Sequence, residues 1–479
     1  MRNLFLLAAI IAAMRSMAFC GFYVAKADAT LFNDRSEVIL VRDGERTIIT
    51  MSNDFKGDVR DFAMVVPVPV VLRESDIRIV ERRVFDMLDS YSSPRLVEYY
   101  DENPCHPPVM YEMDVATSRA EVTSDKFLEN KKSPQSLGVT IEAQYAVGEY
   151  DILILSATES AGLKQWLTEN GYRIPETAND VLEPYIKSNL KFFVVKVDLS
   201  RMQQTGSAFL RPIQIRFDSH KFMLPIRLGM ANSTGSQDMI VYAFTRTGRV
   251  ECVNYRTTKV PTDRNIPLFV KQKFGYFYKD LFARAHRREG KNTVFLEYAW
   301  NVTPSFGGMK CDPCVGPPPM PREFAEAGVD WGGQNGGGQV FFTRLHVRYG
   351  REKFPQDLVF QVTPNTEHFQ ARYVLTHPAT GDLTCSSGQD YLETLYYRRH
   401  RELEELNALT GWDITKRQSY TNDVKNQLSP ERRNNIGGPW IPWKGPGGGG
   451  TPMLGWLALM GLFAVVLRIL QQWPQRRLA

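Results

Sequence analysis

The chain has 479 residues, of which 43% are hydrophobic and 11% aromatic. This composition excludes a disordered chain and leaves room for one large or two ordinary domains. Its 58 lysines and arginines exceed its 53 aspartates and glutamates, for a formal net charge of +5. The excess is confined to the termini, at Arg2, Arg15, Arg468, Arg476 and Arg477. The residues between are formally neutral, which removes the overall basic charge of a nucleic-acid-binding protein, so no nucleic acid is expected as a partner.

Residues 1–18 are predicted to be a signal peptide. Arg2 supplies the positive charge and residues 4–13 form the apolar run that such a peptide needs. Ser16 and Ala18 then place small side chains at the −3 and −1 positions, so cleavage is expected after Ala18. The alternative is an uncleaved anchor, but the apolar run is shorter than the roughly 20 residues that a membrane span requires.

The first elements after the signal peptide have the pattern of strands. Residues 37–41 and 46–51 are apolar and β-branched, and Asp43-Gly44 between them predicts a tight hairpin. The next apolar run, 62–70, contains Pro67 and Pro69. Because proline has no amide to donate, this strand is expected at an edge, or to leave the sheet there. A short helix at 80–88 follows, and further strands are predicted at 140–145, 150–155, 192–199, 212–217, 240–245 and 248–255.

Three amphipathic stretches in the middle of the chain predict helices. Leu163, Trp166 and Leu167 fall on one face of residues 160–172, with Gly171 placed to end the helix. A second helix at about 178–189 is expected to join the first in covering one face of a sheet. The third stretch, 269–288, carries an apolar stripe of Phe274, Phe277, Tyr278, Leu281 and Phe282 that is typical of core packing.

Residues 304–338 interrupt this periodicity with proline, glycine and two cysteines. Beyond them, strands are predicted near 339–349, 358–363 and 370–375, and a helix at about 389–409. A domain boundary in the break and a return of these strands to the first sheet are both open interpretations. In either case the predicted fold class is α+β, a β-rich ectodomain with helices packed on the sheet faces.

The last residues predict an outward stalk and one C-terminal transmembrane helix. Residues 437–450 are rich in glycine and proline, which loosen or break regular structure. Residues 453–470 are apolar except for Arg468, and at about 1.5 Å per residue they are just long enough to cross a bilayer. The arginines at and beyond the far end place the tail inside. The same layout resembles the glycine–glycine type of bacterial sorting tail, which a membrane protease trims.

The predicted organisation has seven parts: a signal peptide at 1–18, a main α+β ectodomain at 19–303, a Pro/Gly/Cys-rich connection at 304–338, a small β segment with a helix at 339–412, a polar then Gly/Pro-rich stalk at 413–452, a transmembrane segment at 453–470 and a basic cytoplasmic tail at 471–479. This organisation predicts an exported, single-pass membrane protein, or a surface-sorted protein after tail trimming.

All six cysteines are disulfide candidates, because an even count in an exported chain favours disulfides. They are Cys20, Cys105, Cys252, Cys311, Cys314 and Cys385. Cys311 and Cys314 have the C-x-x-C spacing of disulfides, of redox pairs and of zinc knuckles. The structural disulfide is favoured, since proline and glycine surround the pair, and zinc would need His377 and Cys385 as further ligands. No metal and no cofactor are therefore expected.

No catalytic motif stands out. The chain lacks a Gly-x-Ser-x-Gly elbow, a His-Glu-x-x-His helix, a phosphate loop and a dinucleotide fingerprint. Cys105 and His106 are sequence neighbours in a proline-rich turn, so their side chains point apart. His346, His368 and His377 lie in the last β segment and form the one histidine group with the potential to meet in space.

Four stretches resemble one known family: FCGFYVAKADA at 19–29, FAMVVPVP at 62–69, FMLPIRLGM at 222–230 and FPQDL at 354–358. They are similar to domain-of-unknown-function family 2330, and the resemblance extends over residues 19–410. It implies an exported bacterial protein, often with a C-terminal sorting or anchoring segment. It also implies cleavage before Phe19, with Cys20 kept as a paired cysteine. It implies no reaction.

The favoured interpretation is an envelope-anchored or surface-sorted ectodomain that binds a protein or glycan partner without catalysis. Its expected partners are the membrane, through 453–470, a sorting protease at the C-terminal tail, and an envelope protein or glycan. The alternative is an exported enzyme, either a thiol–disulfide enzyme that uses Cys311 and Cys314 or a hydrolase that uses the histidine group.

Overall fold

The computed structural model describes residues 22–25, 32–33, 36–52, 55–56, 62–106, 138–170, 178–204, 210–232, 235–305, 307–332 and 338–436. The predicted signal peptide, the Gly/Pro-rich part of the stalk at 437–452, the transmembrane segment 453–470 and the basic tail lie outside these residues. No helix in the described ranges is both long and apolar enough to cross a membrane.

The strands of the described ranges are, in chain order, β1 (Phe22–Ala25), β2 (Phe32–Asn33), β3 (Ser36–Asp43), β4 (Arg46–Ser52), β5 (Phe55–Lys56), β6 (Phe62–Val68), β7 (Ile77–Ile79), β8 (Arg95–Tyr100), β9 (Val139–Val147), β10 (Tyr150–Ala157), β11 (Lys191–Val197), β12 (Ile213–Asp218), β13 (Met223–Leu224), β14 (Gln237–Thr245), β15 (Val250–Cys252), β16 (Arg256–Lys259), β17 (Arg264–Asn265), β18 (Thr293–Asn301), β19 (Phe341–Tyr349), β20 (Leu358–Val362), β21 (Phe369–Gln370) and β22 (Arg372–His377).

The α-helices of the same ranges are α1 (Arg83–Ser92), α2 (Ser160–Glu169), α3 (Ala178–Lys187), α4 (Leu199–Gln204), α5 (Phe274–Arg288), α6 (Pro321–Ala327), α7 (Ser386–Thr410), α8 (Ser419–Lys425) and α9 (Pro430–Asn435). Strands and helices together form an α+β fold rich in sheet, so the predicted fold class is confirmed apart from its transmembrane helix, which lies outside the described residues.

A large central sheet organises the described chain. Its strand order is β16-β18-β19-β14-β3-β4-β12-β7, and β21 pairs with β18. Strand β19, which follows the Pro/Gly/Cys-rich connection, lies between β18 and β14. The residues after the connection therefore share one sheet with the residues before it.

The predicted hairpin near the start of this sheet is confirmed. Strands β3 and β4 pair in antiparallel register, with Asp43 opposite Arg46. Gly44 has a φ of 59° in the turn between them. This left-handed conformation is available to glycine at little cost, so the Asp-Gly pair sets both the turn and the register of the two strands.

A second sheet has the order β1-β6-β11-β10-β9. The predicted edge position of the proline-containing strand β6 is wrong for its first half, which lies between β1 and β11. The alternative, that the strand leaves the sheet at its prolines, agrees with the end of β6 at Val68, directly before Pro69. The β1 ladder covers only Phe62–Val65, whereas the β11 ladder continues past Pro67 to Val68. Pro67 therefore sits where β6 has a partner on one side, which is the position a residue without an amide donor tolerates.

The two sheets pack face to face and bury the largest cluster of apolar side chains. Members of the cluster include Val38, Leu40, Val241 and Ala243 from the large sheet and Val66, Ile152, Phe193 and Val195 from the second sheet. Since successive strand residues point to opposite faces, their neighbours in sequence form two further clusters on the outer faces. The outer face of the large sheet packs on α1 and α6, and that of the second sheet packs on α2 and α3.

The predicted helices take the positions that their apolar faces require. Leu163 and Leu167 of α2 and Leu182 of α3 are fully buried on the second sheet, so the predicted covering pair is confirmed. Phe277 and Leu281 of α5 are also fully buried, in the cluster between the sheets. The long helix α7 packs with α8 to form a separate C-terminal cluster.

Candidate functional site

An open groove of about 580 Å³ lies where four segments of the large sheet and its neighbours meet. Its walls come from the β3–β4 turn, residues 220–222, the β14–β15 turn and strand β20. The turns are distant in sequence and converge because β3 pairs with both β4 and β14. Sheet pairing therefore brings turn side chains into one site, hereafter called the basic groove.

The cations of the basic groove differ in how they are held. Arg42 donates from Nη1 to Thr47 Oγ1 at 2.6 Å and to the Ser219 carbonyl at 2.8 Å. Its guanidinium also lies 5.3 Å from the centroid of the Phe222 ring, within cation–π range. Lys221 is exposed, and its ammonium has no hydrogen-bond or salt-bridge partner among the described residues. The site thus offers one cation that is held by hydrogen bonds, Arg42, and one that has no side-chain partner among the described residues, Lys221.

The one carboxylate of the groove lining is already paired. Arg246 donates from Nε and Nη2 to the two carboxylate oxygens of Asp43, at 2.6 and 2.8 Å. This bidentate bond lowers the pKa of Asp43, so the carboxylate stays ionised and Arg246 is neutralised. Arg246 also stacks 4.4 Å from the ring of Trp331. Among the lining residues, Arg42 and Lys221 are therefore the cations without a lining carboxylate as partner, and the nearby carboxylates of Glu45 and Asp218 also act on the charge of Arg42.

The floor of the groove is apolar, but its aromatic rings are almost completely buried. The rings of Phe222 and Phe360 lie 5.5 Å apart and are 5% and 4% exposed. Val359, at the rim, is 37% exposed. A ligand would meet aliphatic surface and ring edges here, with no open aromatic face on which to stack.

The predicted cysteines have three different fates. Cys105 is bonded to Cys385, and Cys311 is bonded to Cys314. The thiol of Cys252 is free of any described cysteine and buried in β15, with Sγ 3.3 Å from Asn254 Oδ1. Burial raises the pKa of this thiol, which keeps it protonated and unreactive. Cys20 lies outside the described residues.

The three predicted histidines have no partner in common. His368 stacks on Trp300 with centroids 4.5 Å apart, while His377 Nε2 lies 2.6 Å from Glu98 Oε2. His346 contacts Glu297 instead. The structure therefore does not bring them together as a catalytic group. In the described part of the chain, no three His, Cys, Asp or Glu residues are arranged to hold a metal ion.

A buried charge network, which the sequence did not predict, surrounds Glu297 in β18. Glu297 has no exposed surface and lies 2.6 Å from Arg344 Nε and 2.8 Å from His346 Nδ1. Tyr278 also donates its hydroxyl to Glu297. Burial alone would raise the pKa of Glu297, but His346 and Arg344 outweigh burial and lower it to about 2. The signal in the sequence was an isolated glutamate within the apolar run 293–300.

His346 gives this network a dependence on pH. Burial would lower its pKa, but Glu297 and Asp238 outweigh burial and raise it above the usual value. A raised pKa in the folded state means that the contribution of His346 to stability is complete below the unfolded pKa, about 6.5, and is lost as pH rises through the folded pKa. His346→Gln is therefore expected to destabilise the protein more at pH 6 than at pH 9, measured by urea unfolding.

His286→Gln is the matched control, because His286, like His346, stacks with the Phe282 ring. Burial, followed by the Arg348 charge, lowers the pKa of His286 to about 4. Its contribution is therefore complete above the unfolded pKa and is lost as pH falls toward 4, the opposite sign. If the loss of stability in His346→Gln and in His286→Gln had the same pH dependence, His346 would not be the charged histidine of this network.

The fold and its site define a class: a disulfide-containing α+β domain that carries an open cationic groove. A family model described as an uncharacterized protein conserved in bacteria, DUF2330, matches residues 14–361. Because the match covers more than half of the chain, the chain belongs to this family. The four stretches that carried the resemblance all lie within the match, which ends before residue 410. No curated protein and no solved structure matches the chain.

Proposed function

We propose that this protein is an exported envelope domain whose basic groove binds an acidic segment of another protein, without catalysis at the groove. The observation that carries the proposal is the groove itself, where Arg42 and Lys221 stand over an apolar floor and the lining carboxylate of Asp43 is already paired. Such a surface complements a peptide with carboxylates beside aliphatic side chains, since opposite charge steers the encounter and apolar contact adds affinity.

A glycan is the second class of partner, and the groove favours it less. Sugar rings bind well where an aromatic face is exposed for stacking, and both floor rings are nearly fully buried. An acidic peptide needs only cations and aliphatic contact, which Lys221 and Val359 offer at the rim. The protein partner is therefore the one we propose, and the glycan becomes an outcome of the test.

Export and anchoring belong to the same proposal. Two disulfides support an oxidising compartment outside the cytoplasm, where such bonds persist. We propose that residues 1–18 are removed and that 453–470 anchors the chain or is trimmed after sorting. The intact mass of the protein purified from its own cells tests this proposal. A mass equal to that of a chain that begins at Met1 would contradict cleavage of the signal peptide. A mass that lacks the tail would select the sorting alternative.

Reversal of one groove charge should abolish most of the binding. Lys221→Glu is expected to weaken binding of a fluorescent peptide of alternating glutamate and leucine at least about tenfold, or 1.4 kcal/mol. Lys221 is exposed and has no partner in the described structure, so the change should leave the fold intact. Fluorescence anisotropy at low salt gives the affinity of each protein for the peptide. The affinity of the unchanged protein should fall as added salt screens the attraction between the groove and the peptide.

Lys279→Glu, an equally exposed lysine on α5, is the matched control and should bind the peptide as the unchanged protein does. Equal loss in both variants would show that net charge, not the groove, governs binding. An anionic oligosaccharide that binds more tightly than the peptide and depends on Lys221 would replace the protein partner by a glycan.

A further inference from the structure

We propose that Cys311–Cys314 is a redox-active disulfide that exchanges with a dithiol of another exported protein. This site is separate from the basic groove and does not rest on the function proposed for it. The sequence favoured a purely structural bond, because no helix was predicted at these cysteines. The structure likewise has no helix at residues 311–314, but it supplies charge and access by other means.

The two sulfurs differ in access. Cys311 is 1% exposed and packs in the cluster under α1, whereas Cys314 is exposed. An incoming thiolate can therefore reach Sγ of Cys314 and not that of Cys311. Attack on Cys314 makes Cys311 the leaving group, so the buried sulfur is the one that must carry negative charge.

Two nearly buried cations lie close to the disulfide: Arg95 contacts the loop that the bond closes, and Lys310 directly precedes that loop in the chain. Lys310 precedes Cys311 and is 9% exposed, and its ammonium donates to the carbonyls of Thr303 and Pro304, at 2.6 and 3.3 Å. Arg95 is 7% exposed and donates from Nη1 to the Pro313 carbonyl at 2.8 Å.

Neither cation has a salt-bridge partner among the described carboxylates; their recorded partners are carbonyl oxygens. A buried cation without a counter-charge is costly, and a thiolate at Cys311 would supply that counter-charge. Burial alone lowers the pKa of Lys310, which records the same lack of a compensating anion. In the proposed site Arg95, which contacts the loop closed by the disulfide, and Lys310 take the part that a helix N-terminus has in other C-x-x-C sites.

The chain directly before the disulfide is held by hydrogen bonds that do not depend on the S–S bond. Tyr91 and Tyr298 both donate hydroxyl hydrogen bonds to the Lys310 carbonyl, at 3.0 and 2.5 Å. Trp300 Nε1 donates to the Met309 carbonyl at 2.8 Å. Since the bond closes a loop of only three residues in sequence separation, its reduction frees little chain. The site can change redox state while the fold persists.

Exposed apolar side chains surround the accessible sulfur in sequence. Met309, Val315 and Met320 are 69%, 58% and 48% exposed. We propose that these side chains contribute to the contact with a partner, since methionine adapts to different partner surfaces. The partner is therefore expected to be a protein segment that presents a dithiol next to apolar residues.

The exchange balances with the partner dithiol as reductant. One partner thiolate attacks Cys314 Sγ, the bond between Cys311 and Cys314 breaks, and Cys311 leaves as a thiolate. The second partner thiolate then attacks the partner sulfur of the mixed disulfide and releases Cys314, which takes up a proton. Two electrons pass from the partner to the C-x-x-C pair, and the partner gains one disulfide.

The test compares both disulfides of one protein in glutathione buffers of graded ratio, followed by alkylation and peptide mass spectrometry. Cys311 and Cys314 are expected to be half-reduced at a glutathione ratio at least about tenfold more oxidising than Cys105 and Cys385 require. Lys310→Met should make the C-x-x-C pair harder to reduce by about tenfold. Lys279→Met is the matched control and should cause no change. Reduction of both disulfides together, or no effect of Lys310→Met, would overturn the proposal.

A second pair of variants keeps the test independent of Lys310. Cys311→Ser leaves the exposed Cys314 and should form a mixed disulfide with oxidised glutathione. Cys314→Ser leaves the buried Cys311 and should resist it at least about tenfold more, in rate, because the thiol is inaccessible. Equal or reversed rates would remove Cys314 as the point of attack.

Discussion

Glu297→Gln is expected to lower the free energy of unfolding by about 3 to 5 kcal/mol. The amide keeps the shape of the carboxylate but removes its charge, and it leaves Arg344 and His346 without their nearest anion. Arg344 is 2% exposed, so water cannot replace the lost partner. Breaking one side of a buried ion pair costs far more than the pair itself contributes. Urea denaturation at pH 7 measures the change.

The ion pair between Arg256 and Glu289 is the matched control, because the Arg256 side chain is 68% exposed. Arg256→Gln should change the free energy of unfolding by less than about 1 kcal/mol. A loss for Glu297→Gln no larger than this would mean that Asp89, which already lies 2.7 Å from Arg344 Nη1, compensates Arg344 by itself. The double variant with Arg344→Met should recover part of the loss, since no unpaired charge then remains at that position.

Replacing both Cys105 and Cys385 by serine is expected to cost about 3 to 5 kcal/mol. Their disulfide spans 280 residues of sequence, so it removes a large loop from the unfolded ensemble. It also fixes the start of α7, where Cys385 Sγ accepts from the Gly388 amide at 3.2 Å. Thermal and urea unfolding under non-reducing conditions measure the loss.

The C-x-x-C pair supplies the comparison within the same chain. Cys311→Ser with Cys314→Ser opens a bond of sequence separation 3, so the loss should not exceed about 2 kcal/mol. Equal losses for the two double variants would show that loop length does not govern the stabilisation, and that local packing of the half-cystines does.

Local pattern predicted much of this fold because local physics decides those elements. The Asp43-Gly44 turn and the apolar face of α2 carry their own signals, of positive φ and of helical period. Strand β18 was missed, although eight of its residues are buried. The strand is buried on both faces, so its sequence does not alternate between apolar and polar residues. Without that alternation, a short apolar run is not distinguished from a buried helical segment.

The candidate sites were less accessible to sequence reasoning for a different reason. The basic groove joins Arg42, Lys221 and Val359, whose proximity depends on sheet pairing between distant strands. The pairing of Cys105 with Cys385 depends on the same long-range geometry, because 280 residues of sequence separate the two cysteines. The C-x-x-C spacing is visible in the sequence. The two cations without a salt-bridge partner, Arg95 in strand β8 and Lys310 in a loop, are far apart in sequence, so only the fold shows that Arg95 reaches the Pro313 carbonyl.

The family match stops at residue 361, inside strand β20, yet the chain is fastened well beyond that point. Strand β22 pairs in parallel with β8, and Cys385 is covalently joined to Cys105. A gene fragment that ended at 361 would leave β8 without its neighbour and Cys105 with an unpaired thiol. Val424 of α8, together with Leu428 and Ile436 on either side of α9, completes the cluster on α7, and Ile436 is 5% exposed. The boundary for recombinant expression, and for any domain exchanged between relatives, therefore lies after Ile436.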